Sequence, residues 1–138
     1  MGCGKLVHGG GTIGPNSECI IYEENDVKGV IQHIGFRGGN YSNDLTLRIV
    51  IDGKQQYPDD IDIITLVKNY GGNPENLLGK GLFLVPLDYH PRFLNISAQL
   101  SLNLPFESSL KISIFNKNTN YPREAHAFVN IVVEKVKS

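Results

Sequence analysis

The chain of 138 residues has no tryptophan, one methionine and two cysteines, and only 20% of it is charged. Each shortage excludes something. Two cysteines, Cys3 and Cys19, cannot build a disulfide scaffold, and one bridge between them is the most they allow. No stretch reaches the ~20 consecutive apolar residues of a membrane-crossing helix. The start, MGCGKLVHGGGTIG, lacks the apolar stretch of a secretion signal, so export is not expected. Thirteen Lys and Arg against fourteen Asp and Glu leave a formal net charge of -1, which gives no field for specific nucleic-acid binding. No two histidines stand at metal-ligand spacing. His8, His33, His90 and His126 are scattered, so a zinc site would need the fold to gather them with Cys3 or Cys19.

Signatures of catalysis are equally sparse. There is no G-x-S-x-G around a serine. The glycines of 8-HGGGTIG-14 and 35-GFRGG-39 lack the Lys-Ser/Thr ending of a phosphate loop. Asp59, Asp60 and Asp62 cluster after Pro58, but their spacing is not that of a calcium loop, and helix capping accounts for Asp60 and Asp62. Gly2 and Cys3 stand where N-terminal acyl groups attach, yet Leu6 occupies a position that usually holds Ser or Thr. No metal and no cofactor are expected.

What the sequence does have is two-residue alternation. In 43-NDLTLRIVIDGKQQYP-58, Leu45, Leu47, Ile49 and Ile51 alternate with Thr46, Arg48 and Val50, and Asp52-Gly53 ends the run as a turn pair. In 93-FLNISAQLSLNL-104, leucine, isoleucine and alanine alternate with short amides and hydroxyls, giving a polar, uncharged second face. Further strands are expected from Ile20, over 27–36, over 82–88, over Leu110–Ile114 and over about 125–136. One helix is expected near 60–70, capped by Asp60, with Ile61, Ile64 and Val67 on one face and Gly71-Gly72 ending it. Seven or eight strands without crossover helices imply antiparallel sheets packed face to face. The expected fold is therefore an all-β, two-sheet sandwich: a jelly roll, with an immunoglobulin-like sandwich as the alternative. Residues 1–17, with three consecutive glycines at 9–11, read as an N-terminal arm, and 18–138 as a single domain.

The strand-end acids Asp52 and Asp88 are the pair to test for glycoside chemistry, which needs two carboxyl groups about 5–10 Å apart. With Arg48 they form the alternative sugar site. Otherwise Arg48, Asp52 and Asp60 are architectural: Arg48 bonding to a neighbouring strand or subunit, Asp52 shaping its turn, Asp60 capping the helix.

The run 29-GVIQHIGFRGGNYSNDLTLRIVIDGKQQYP-58 resembles one half of a double-jelly-roll glycoside hydrolase family. His33, Phe36, Leu47-Arg48-Ile49, Asp52-Gly53 and Pro58 carry the likeness. Pro105-Phe106, Leu110-Lys111-Ile112 and Asn116 continue it. The resemblance implies a jelly roll, an architecture that icosahedral virus coat proteins share. The expectation is a non-enzymatic structural protein that assembles with itself or with other structural proteins, as a capsid or virion component. It would reside in the virion or in the cytoplasm of the producing cell. The alternative is a carbohydrate-active or carbohydrate-binding jelly roll with a site shared between subunits.

Overall fold

The computed structural model describes residues 5–57, 82–90 and 92–136. Nine strands form two antiparallel sheets packed as a sandwich. They are β1 (Lys5–Ile13), β2 (Ser17–Asn25), β3 (Val27–Gly38), β4 (Leu45–Ile51), β5 (Gln55–Tyr57), β6 (Leu82–His90), β7 (Asn95–Phe106), β8 (Ser109–Asn116) and β9 (Arg123–Lys135). One sheet has the order β1-β9-β3-β7-β6 and the other β2-β8-β4-β5. The pairs β1/β9, β2/β8 and β3/β7 are nested, and β1 to β4 alternate between the two sheets. An immunoglobulin-like sandwich keeps its first two strands in one sheet. Here β1 and β2 lie in different sheets, so that alternative does not fit.

Alternation places the core. Leu45, Leu47, Ile49 and Ile51 of β4 are buried, as are Leu110, Ile112 and Ile114 of β8 and Ala125, Ala127, Val129 and Ile131 of β9. In β3 the buried set changes parity. Val27, Gly29 and Ile31 point inward, then Ile34, Phe36 and Gly38 do. A register shift between Ile31 and His33 supplies the extra residue that makes the switch. A similar shift between Ile20 and Tyr22 lets the consecutive Ile21 and Tyr22 both be buried.

The stretch read as an arm is not an arm over Lys5–Ile13, because there it forms β1, paired in continuous register with β9. Glycine is needed in it for close approach, not for looseness. A Cβ on Gly10 would lie 2.2 Å from the Ala125 carbonyl oxygen, and one on Gly9 would sit 3.2 Å from Ile21. The helix near 60–70, and with it Asp60, lies outside the described residues. Among the described residues the sole helical element is the 3-10 turn Ser42–Asp44.

Candidate functional site

Asp52 sits in the β4–β5 hairpin. It and Gly53 have φ of 54° and 73°, and the Lys54 N–H donates to the Ile51 carbonyl at 3.1 Å. Two positive φ values suit the right-handed twist of the flanking strands, which is why Asp-Gly stands here. The carboxylate has a second task. Its Oδ1 accepts the backbone N–H groups of Glu107 (3.0 Å), Ser108 (2.7 Å) and Ser109 (3.1 Å), and the Ser108 hydroxyl donates to it at 3.1 Å. This closes the β7–β8 turn. Burial pushes the Asp52 carboxyl up, but the N–H donors together outweigh it and hold the group below its usual range. A folded-state value below the unfolded one gives stability that is present above the unfolded pKa and lost as pH falls. Acid titration of the wild type and of Asp52→Asn, followed by circular dichroism, should therefore converge as pH drops from roughly 5 to 3.

Arg48 lies on the outer face of the four-stranded sheet. Its guanidinium covers the Phe115 ring at 4.3 Å and its Nη1 is 3.8 Å from Glu18 Oε2. Glu18 also takes Lys111 Nζ at 2.9 Å and the Ser113 hydroxyl at 2.8 Å. The Lys111 hydrogen bond is the largest reason that the Glu18 carboxyl lies below its ordinary value. These side chains tie β2, β8 and β4 together across the sheet.

Asp88 is in the other sheet. Its backbone on β6 pairs opposite Ser97, near the start of β7, whereas Asp52 binds Glu107 and Ser108 just beyond the end of β7. Ten residues of strand separate those points, about 30 Å at about 3.3 Å per residue. The pair cannot share a glycosidic bond, and the sugar site read as Arg48, Asp52 and Asp88 is not assembled within one chain. Cys19 is a free thiol packed against the core. Cys3 lies outside the described residues.

The structure gathers instead a set that sequence reading missed. On the outer face of the five-stranded sheet, Arg37 of β3 stands in register between His126 of β9 and Ser97 of β7. With Gly38, Gly39, Asn95, Ile96 and Glu124 they line an open cleft of about 250 Å³. His126 Nε2 is 3.2 Å from Glu124 Oε1. Asn95 donates to Asn40 Oδ1 at 2.9 Å, while its own Oδ1 is buried without a partner among the described residues. Beside the cleft, His8 stacks on Phe128 with ring centroids 4.4 Å apart. Alternation in β9 could have put Glu124, His126 and Phe128 on one face. Only the register to β3 and β7 brings Arg37 and Ser97 to them.

No group of three or more His, Cys, Asp or Glu side chains that could hold a metal occurs among the described residues. None of their helices is long and apolar enough to cross a membrane. No protein-family model and no curated protein matches the chain.

Proposed function

We propose that this chain is a non-enzymatic structural protein that works by self-assembly, of the jelly-roll coat-protein or virion-component type. The observation that carries the reading is an apolar flank. Leu6 on β1 is 64% exposed, and Phe128 on β9, beside β1, is 45% exposed. β1 pairs with β9 so that Leu6 and Phe128 share the outer face of the five-stranded sheet at its β1 edge. Apolar surface gathered on one side gains by being covered. The nested strand order, in a five-stranded and a four-stranded sheet, supports the jelly roll. Fold alone does not fix function, so the coat role rests on this flank and on how the chain behaves in solution. Light scattering over a hundredfold concentration range tests it. The expected result is a mass that rises above 15.3 kDa with concentration. A constant monomer mass removes the proposal.

A second reading, carbohydrate binding, is favoured by the cleft at Arg37. Arg37, Glu124, His126 and Ser97 offer donors and acceptors of both signs, which suits a neutral polyhydroxyl ligand better than an ion. A glycan array decides it: signal that Arg37→Ala abolishes supports this reading, and no signal above background removes it.

A further inference from the structure

Each sheet has two edge strands, and an edge with unpaired N–H and C=O groups is a template for another strand. Folded proteins guard such edges with charge, proline, bulges or shortness. Three of the four edges here are guarded. β2 carries exposed Glu23, half-buried Glu24 and the bulge at Ile20/Tyr22. β6 contains Pro86 and a register shift between Pro86 and Asp88. Among the described residues β5 spans only three positions.

Beyond Lys5 at its start, β1 has none of these devices. Its nine residues, KLVHGGGTI, run in unbroken register with β9, and beyond Lys5 they include no charge and no proline. Among the described residues its other side pairs with nothing. Gly10 and Gly11 hold φ of 134° and 138°, which only glycine adopts easily.

We infer that β1 is the assembly edge, and that its partner is β1 of a second copy, antiparallel about a two-fold axis through Gly9. This rests on the self-assembly reading and says where the contact is. The strand is complementary to itself in that register. Residue i faces residue 18 − i, so Leu6 meets Thr12, Val7 meets Gly11 and His8 meets Gly10, a larger side chain against a smaller one at each of these three pairs, and Lys5 meets Ile13 at the ends. Parity is kept, so Leu6, His8 and Thr12 of both copies stay on the outer face, beside Phe128. A charged partner strand would find nothing on β1 past Lys5 to pair with. Two five-stranded sheets would then join into one of ten strands, an isologous contact. A single strand pair is a small interface, so micromolar association is expected.

The test is sedimentation velocity on wild type, Leu6→Lys/Thr12→Lys and Ile20→Lys. The double substitution sets like charges opposite each other twice across the axis, on side chains outside the core. The dissociation constant should rise at least tenfold, while Ile20→Lys on the guarded β2 edge leaves it within about twofold. If the wild type associates and the double variant associates equally well, the β1 edge is excluded and self-assembly stands. If the wild type stays monomeric, both fail. Should the lysine variant misfold, Leu6→Cys/Thr12→Cys in a Cys3→Ser/Cys19→Ser background gives a second readout. Oxidation is expected to yield a covalent dimer, which Leu6→Cys alone does not form at the same rate. Equal cross-linking by the two excludes this register.

Discussion

Gly29→Ala is expected to be the most damaging single-methyl change among the described residues. Gly29 lies inward on β3, between β7 and β9, opposite Phe106 and Val133. A Cβ there would stand 1.8 Å from the Val132 carbonyl oxygen, 2.9 Å from its carbon and 3.0 Å from the Phe106 ring. Two of those atoms are backbone in a central strand, so no rotamer change relieves the overlap. Either the β3–β9 ladder opens or Phe106, 1% exposed, leaves its place. Overpacking of this kind costs about 3 kcal/mol or more. Gly35→Ala, on the same strand, is the control. Its Cβ would touch nothing nearer than Phe128 Cβ at 3.9 Å. Alanine also loses less backbone freedom on folding, so that variant should match or slightly exceed wild-type stability, by up to about 1 kcal/mol. Urea denaturation of the two variants checks both signs. Similar losses in the two would mean that the β3–β9 approach is looser than described.

Asn116→Ala should cost about 3 kcal/mol and lower Tm by roughly 10 °C. Asn116 ends β8 and is fully buried. Its Nδ2 donates to the carbonyls of Ile13 (3.1 Å), Gly14 (3.2 Å) and Tyr121 (3.0 Å), and its Oδ1 accepts the Asn118 N–H at 3.0 Å. One amide thus joins the end of β1, the turn after it and the loop before β9. Alanine leaves several of those backbone groups without a partner, and an unmade buried hydrogen bond costs more than a made one contributes. Asn116→Asp should be worse, since a carboxylate would face three carbonyl oxygens. Thermal melts of the two variants rank them. An aspartate variant as stable as wild type would show that the amide does not point as described.

Much of the fold was legible. Period-two alternation marked β4, β7, β8 and β9 because each has one face in the core, and Asp52-Gly53 marked the first tight hairpin. The strand order was not legible, because side-chain pattern states which face is buried and not which strand lies alongside. β1 was missed for a related reason. Its glycines look like slack in a sequence, and they make sense only once Ala125 and Ile21 are seen against them. The site failed at the same step. Asp52 and Asp88 both end or flank strands, but register puts them at opposite ends of β7. Arg37, Ser97 and His126 are far apart in sequence and adjacent across three strands. Arg48 and Asp52 serve as cross-strand ties, to Glu18 and to the β7–β8 turn.

The central claim, that β1 is the surface on which copies meet, is tested most directly by amide hydrogen exchange at low and high protein concentration. Alternate amides of residues 5–13, those facing away from β9, should exchange quickly in dilute protein and become protected as concentration rises. Amides on the β2 edge should not change. Protection that is independent of concentration, or that grows on β2 while β1 stays open, would contradict the account.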